Sequence, residues 1–267
     1  MLARQRQERI LREVDRHGGC RVSELVEILG VSDMTVRRDI EVLAEKGLVL
    51  KVHGGATAAG GRSAEEPGFH VKSELNPVEK SAIARTAAGL VQPGASIAVS
   101  AGTTTYAVAH ELRGIRDLTV VTNSPRVAEL LHDPNRDDLT VVLTGGVRTR
   151  SDALVGPVAI ATLRSMHVDT LLLGVHGIDL RAGLTTPNLE EAETNRAMIA
   201  CARRLVVVAD HSKWGIVGLS TIATLTDVDV LVTDAELDTQ ARRAVAEQVG
   251  QLIVAPRDSA PTASGRR

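Results

Sequence analysis

Apolar residues recur with two different periods along this chain, and the change comes after residue 56. Before it the period is helical. Ile10, Leu11 and Val14 share one face, and His17-Gly18-Gly19 stops that run. Ser23 is placed to cap a second helix, ELVEIL, with Leu25, Ile28 and Leu29 inward and Gly30 at its end. Ser32 caps a third, DMTVRRDIEVLAEK, whose core side carries Val36, Ile40 and Leu43 before Gly47. A short apolar strand-like run, GLVLKVHGGA, follows with Lys51 and His53 near its tip.

Beyond residue 68 the apolar positions gather into short continuous β-type runs. They lie at 96–99, 118–121, 139–143, 170–175, 205–209, 228–232 and 252–254, most of them separated by helix-capable segments. Asn76-Pro77 with Glu79, Ser124-Pro125 and Thr186-Pro187 each give a cap-then-proline helix start. Continuous apolar strands between helices predict a mostly parallel sheet covered on both faces. The fold class is therefore α/β, with a small N-terminal helix-turn-helix and wing followed by a larger α/β domain. Domains are expected at 1–56 and 69–255, joined by a linker at 57–68 (TAAGGRSAEEPG) and followed by a disordered tail at 256–267.

Composition narrows the function by exclusion. The chain of 267 residues holds one Phe, one Tyr and one Trp, too few rings for a base-stacking single-strand binder or an aromatic sugar platform. Lys plus Arg is 31 against 33 Asp plus Glu, so no polyanion partner is advertised by the whole molecule. The first residues lack the apolar core of a signal peptide, and no run approaches the ~18 apolar residues of a membrane span; a cytoplasmic protein is expected. Cys20 and Cys201 match no metal spacing and read as buried thiols. No metal or other cofactor is expected.

Two short helices separated by Gly30-Val31-Ser32 have helix-turn-helix proportions, with the second helix entering the DNA major groove. Ser32, Met34, Thr35, Arg37 and Arg38 point away from its core face, on the half that meets base edges. Lys51 and His53 sit on the wing beside the flanking backbone. Residues 1–55 hold ten basic against nine acidic side chains, so bulk charge does not separate a DNA surface from a solvated helix face. Helical spacing, the exposed Thr-x-Arg-Arg edge and the basic wing together favour double-stranded DNA.

The stretch VSDMTVRRDIEVLAEKGLVLKVHGGA, Val31 to Ala56, resembles the signature of the DeoR family of bacterial transcriptional regulators. That resemblance implies a winged helix-turn-helix that binds operators as a dimer or tetramer, usually as a repressor.

In the larger domain, polar loops follow successive strands, where open α/β sheets place ligands. The first is Ser100-Ala101-Gly102-Thr103-Thr104-Thr105, leading into a helix. Thr122-Asn123 follows the second strand, and Gly145-Gly146 with Arg148 follows the third. Small residues and helix N-terminal amides suit a phosphate, and a simple Thr-capped turn fits the first pattern equally. The fourth strand ends in His176-Gly177-Ile178-Asp179; Glu190 and Glu191 open a later helix, and Asp210-His211-Ser212-Lys213 follows the fifth. Asp179, a Glu and Lys213 form either an acid–base set or hydrogen-bonding partners for hydroxyls and phosphate; Asp210 and Lys213 also suit a structural pair.

These loops, in this order, resemble the DeoR-type C-terminal sensor domain, so the likeness spans nearly all of the chain outside linker and tail. That domain is similar to ribose-5-phosphate isomerase, and the resemblance implies a phosphorylated sugar effector. On this basis Gly102, Thr103 and Thr104 would cradle phosphate, Lys213 would be a nearby cation, and Asp179 and Glu191 would contact sugar hydroxyls. The isomerase pattern has Asp-Gly-x-Asp where this chain has His176-Gly177-Ile178-Asp179. With the first carboxylate absent, the domain reads as a non-enzymatic sensor that kept the pocket; the alternative is an isomerase-like enzyme with an accessory DNA-binding module.

Overall fold

The computed structural model describes residues 2–17, 19–45, 48–52, 54–58, 68–73 and 75–257. The chain divides into two compact units, Met1–Leu75 and Asn76–Arg267.

The first unit runs α1 (Ala3–His17), β1 (Gly19–Arg21), α2 (Val22–Leu29), α3 (Asp33–Glu45), β2 (Val49–Val52), β3 (Gly55–Ala58) and α4 (Phe69–Ser73). Ile10, Val14, Leu25, Val36, Ile40, Leu43 and Val49 form its core. The three strands make an antiparallel sheet in the order β1-β3-β2. β1 begins at Gly19, expected only to stop a helix, and was not itself expected. Its pairing depends on Gly55, where a Cβ would stand 2.3 Å from the Cys20 carbonyl oxygen. Thr57 and Ala58, expected in the linker, are the last residues of β3; 59–67 of that linker, and 258–267 of the tail, lie outside the described residues.

Two expectations for α2 are corrected. The helix begins one residue before Ser23, because the Glu24 carboxylate accepts from the Arg21 N–H at 2.9 Å and completes the first turn from within. Ile28 is 37% exposed, since the inward stripe is Val22, Leu25, Val26 and Leu29, at the helical i, i+3, i+4, i+7 spacing. A charge is also buried in this small core. Asp39 of α3 accepts from Arg6 Nε at 2.7 Å and from Gln7 Nε2 at 3.2 Å, tying α3 to α1.

The second unit continues with α5 (Pro77–Ala88), β4 (Ser96–Val99), α6 (Thr103–Leu112), β5 (Leu118–Thr122), α7 (Pro125–Leu131) and β6 (Leu139–Leu143). β7 (Val147–Arg148), β8 (Leu154–Val155), α8 (Pro157–Arg164), β9 (Val168–Gly174), β10 (Gly177–Asp179) and β11 (Gly183–Thr186) follow. The remainder is α9 (Leu189–Cys201), β12 (Ala202–Val208), β13 (Ser220–Ala223), β14 (Val230–Thr233), α10 (Thr239–Ala246) and β15 (Gln251–Val254). Seven strands form one parallel sheet in the order β15-β14-β12-β9-β4-β5-β6. They are the seven runs expected from apolar pattern.

Both faces are covered, as strands with continuous apolar sequence require. Leu172, Val206 and Val208 pack with Ile83, Val108 and Leu131 from α5, α6 and α7. Their neighbours Leu171, Leu173, Leu205 and Val207 point the other way, onto Leu163, Met198 and Val245 from α8, α9 and α10. Two of the three cap-then-proline signals act differently from expectation. Ser124 does cap α7, its Oγ accepting from Val127 N at 3.3 Å. Asn76 precedes α5 in a left-handed conformation, φ 49°, with no capping bond. Thr186 belongs to β11, and Asn188 caps α9 by accepting from Glu190 and Glu191 N–H. Cys20 and Cys201 are both buried free thiols, and burial pushes Cys20 up to about 11.

The Asp39 pair yields a stability test. Asp39→Ala leaves the largely covered Arg6 guanidinium without its carboxylate, and should cost about 2–3 kcal/mol, the scale of a hydrogen bond to a charged group. Chemical denaturation of the full chain should show a lowered midpoint; an unchanged midpoint removes the pair from what holds α3.

Candidate functional site

Each unit carries its own candidate surface. On the first, Ser32 immediately precedes α3, and its Oγ accepts from Thr35 N at 3.3 Å and lies 2.8 Å from Thr35 Oγ1. Arg37 Nε donates to Asp33 Oδ1 at 2.6 Å, and this bond raises the Arg37 pKa above its ordinary value. Lys51 of β2 donates to Glu41 Oε1 at 2.5 Å, which lowers the Glu41 carboxyl. Such exposed pairs contribute little and exchange readily for another anion. Arg38 is exposed and has no hydrogen-bond or ion-pair partner among the described residues. Met34 is 80% exposed. His53, expected on the wing, lies outside the described residues.

In the second unit the chain winds outward from β4 through β5 to β6, then returns to β9 beside β4 and winds the other way. Strand order therefore reverses between β4 and β9, leaving a crevice at their carboxyl ends. The β4–α6 loop sits at that point. Ser100 N donates to the Leu172 carbonyl at 3.0 Å, and Ser100 Oγ accepts from Gly174 N at 3.0 Å, so the ends of β4 and β9 meet directly. Gly102 precedes α6, and Thr103, Thr104 and Thr105 form its first turn. Thr105 Oγ1 donates to the Gly102 carbonyl at 3.0 Å.

Other expected residues brace this loop instead of facing open space. Asn123 Oδ1 accepts from Ala101 N at 2.8 Å while its Nδ2 donates to Leu154 O at 3.1 Å. Thr122 Oγ1 donates to Val99 O at 2.7 Å. A Cβ on Gly146 would stand 2.5 Å from Val155 O, and one on Gly177 2.1 Å from Ile216 O, so both glycines permit close backbone packing. Gly145 turns the chain ahead of β7 at φ 72°.

Three expected polar residues have partners elsewhere. Arg148 is paired with Asp152, which Arg126 also holds; burial alone would raise the Asp152 carboxyl, but the two arginines bring it below its usual value. Asp179 Oδ1 accepts from Arg181 and Ala182 N–H, each at 2.8 Å, and so closes the β10–β11 hairpin. Glu191, 8% exposed, accepts from Thr149 Oγ1 at 2.8 Å, from Ser151 Oγ and from Thr186 Oγ1 at 3.4 Å.

Lys213 ends a short turn after β12, its N–H donating to Asp210 O at 3.0 Å. Asp210 is 2% exposed and accepts at Oδ1 from Asn76 Nδ2 at 2.9 Å and Ser212 Oγ at 2.5 Å. Burial opposes its ionisation, yet Lys213, Ser212, Lys80 and Asn76 together hold it below the usual carboxylate range. The buried Lys80 near Asp210 and the bond from Asn76, expected only to start a helix, were not foreseen here. Nor was the neighbouring pair in which His211 Nδ1 lies 3.0 Å from Asp234 Oδ1. A signal for Asp234 existed, because VLVTD ends an apolar run in Asp just as LVVVAD does at Asp210. Among the described residues no group of His, Cys, Asp or Glu is arranged to hold a metal, and no helix is long and apolar enough to cross a membrane.

The His211–Asp234 pair has a pH consequence. The bond to Asp234 raises His211 above its usual value; burial would raise Asp234, but His211 and nearby amides lower it. The histidine contribution to stability is thus full below about 6.5 and is lost as pH rises through the raised folded value. The aspartate contribution is present above about 3.9 and is lost as pH falls through the lowered one. Thermal unfolding should show wild type more stable than His211→Gln at pH 6, with the gap closing toward pH 9. A gap independent of pH removes the charged pair.

Comparison with known proteins gives one family. Residues 6–60 match the model of the DeoR-like helix-turn-helix domain, and residues 75–235 match that of the DeoR C-terminal sensor domain. The chain is 37% identical over 96% of its length to the uncharacterized HTH-type transcriptional regulator YgbI of Escherichia coli, covering 99% of that protein. It is 37% identical to the HTH-type transcriptional regulator GlpR of Haloferax volcanii, over 95% of this chain and 98% of that one. It is 35% identical to the glycerol-3-phosphate regulon repressor of Escherichia coli, over 86% and 90%. Among solved structures, ribose 5-phosphate isomerase A from Neisseria gonorrhoeae aligns at a TM-score of 0.37 and 18% identity, over 52% of this chain and 54% of that one. A likeness at that level says nothing of chemistry.

Proposed function

The chain belongs to the DeoR family of helix-turn-helix transcriptional regulators, and from that premise we propose that it represses sugar-metabolism genes by holding their operators until a phosphorylated sugar binds its second unit. The DNA surface is the outer side of α3, with Ser32, Met34, Thr35, Arg37 and Arg38, and includes Lys51 of β2; His53, two residues further along the sequence, is proposed to join it. Two copies or more act together, because half-sites one helical turn apart call for paired recognition helices.

One observation supports the effector reading above the rest: the Gly102–Thr105 loop opens α6 at the point where strand order reverses. Amides at such a helix start face an anion with the favourable end of the helix dipole. Lys213 stands on the loop after β12, the strand next to β9, and supplies the cation. Glu191 and Asp179 accept from sugar hydroxyls on top of their present bonds. Asn123, Gly146 and Arg148 shape the surrounding loops. The relative named for a glycerol-3-phosphate regulon favours a small phosphorylated carbohydrate. Coupling of about 1–3 kcal/mol between the two sites changes operator affinity some 5- to 150-fold, enough for induction. An isomerase-like enzyme is the disfavoured reading, since the relatives are named as regulators.

Two experiments test the two halves. Arg38→Ala should weaken operator binding and lower the slope of log affinity against log salt by about one unit if the lost contact is to phosphate; unchanged affinity takes Arg38 out of the interface. Thermal unfolding against sugar phosphates and their unphosphorylated parents should show stabilisation by a phosphate ester, roughly 2.7 kcal/mol at a hundred times its Kd. Lys213→Ala should lose that shift while DNA binding without effector persists. Equal shifts from the unphosphorylated parents discard the phosphate cradle.

A further inference from the structure

Side chains on the outer side of α3 divide into those the protein already uses and those it leaves open. Ser32 and Thr35 bond each other, and Arg37 is bound to Asp33. Glu41, one turn further along, is bound to Lys51. In the N-terminal half of the helix Met34 and Arg38 are left, four residues apart and therefore stacked one above the other on a single face. At 100° per residue they stand about 40° apart and nearly opposite Val36 and Ile40, which are fully buried. Met34 is 80% exposed and Arg38 has no partner among the described residues. The center of the surface offered to a groove is thus one long apolar side chain and one cation.

An apolar side chain at that place has one complement in the major groove. Base edges there present hydrogen-bond donors and acceptors, and the C5-methyl of thymine is the only apolar group among them. Methionine is unbranched and reaches such a group without demanding one fixed rotamer. Glu41 and Glu45 lie further along the same side of α3, where carboxylates would repel phosphates. The N-terminal half of the helix is therefore the end that enters.

We propose that Met34 reads the methyl group of a thymine in each operator half-site and is the specificity-determining residue at that base pair, with Arg38 anchoring the helix one turn away. This rests on the DNA-binding reading above and deepens it by naming what is recognised.

Deoxyuridine isolates the interaction, because it lacks the methyl while keeping every hydrogen-bonding edge of thymine. The full-length protein would first select its operator from a randomised duplex pool. Each thymine of the selected site would then be replaced singly by deoxyuridine, and affinities measured for wild type and for Met34→Ala. One thymine per half-site should cost wild type about three- to fivefold on replacement, the worth of one buried methyl. Met34→Ala should bind the thymine and deoxyuridine operators equally. Met34→Leu, which keeps apolar reach, should retain part of the discrimination, and unchanged thermal unfolding of both variants shows that the fold is intact. A wild type indifferent to every replacement, or a thymine preference that survives in Met34→Ala, overturns the assignment while leaving the regulator reading in place. A pool from which wild type enriches no sequence overturns both.

Discussion

The second unit depends on one topological constraint: a parallel sheet wound in both directions from β4 must leave a gap where β4 and β9 lie side by side. Crossover helices go to opposite faces, so no helix covers that edge from above. The gap is bridged by Ser100, which bonds the carbonyl of Leu172 and the amide of Gly174. With the two strand ends fastened in this way, the amides at the start of α6 are left on a rigid base. Asn123 then fixes the same loop from β5, through Ala101 and Leu154. Most of the polar groups around the gap are thus devoted to holding its shape.

The first unit solves a different problem with similar economy. A core of this size has few apolar contacts to set the angle of a helix, and the Arg6–Asp39 pair adds a directional link between α1 and α3. The outer side of α3 is organised by the same local chemistry. Asp33 and Glu41 each hold a nearby cation, which keeps a helix rich in charge from presenting an undifferentiated basic surface.

How much of this the amino-acid sequence reveals depends on whether a residue's environment is local. The inner strands of the large sheet were legible because strands buried on both faces must be continuously apolar, and the edge strands β6 and β15, though only partly covered, keep short apolar runs of the same kind. β10, β11 and β13 were not, because Gly-Leu-Thr-Thr and its neighbours are short, polar and defined only by pairing with one another. β1 is three residues whose strand character comes from β3, far along the chain. Ile28 and Leu29 are adjacent apolar residues, and only packing decides which turns inward. At the candidate site the strand-end loops could be placed, whereas the partners of Arg148, Asp179 and Glu191 could not. Nothing in the local sequence sets Lys80 apart, since its neighbourhood with Asp210 is made by tertiary folding alone.

The shortage of rings has an optical consequence. The chain has a single tryptophan, and it is Trp214, the residue directly after Lys213, held by a bridge to Ile178 of β10. Tyr106, the sole tyrosine, lies in α6, edge-on to His110, and packs against a different core cluster from Trp214. Light absorbed at the red edge of the protein band is therefore taken up by one indole, and all of its emission reports from one turn. The colour and polarisation of that emission describe the surroundings of the Asp210–Lys213 turn with no label attached and no background from elsewhere in the chain.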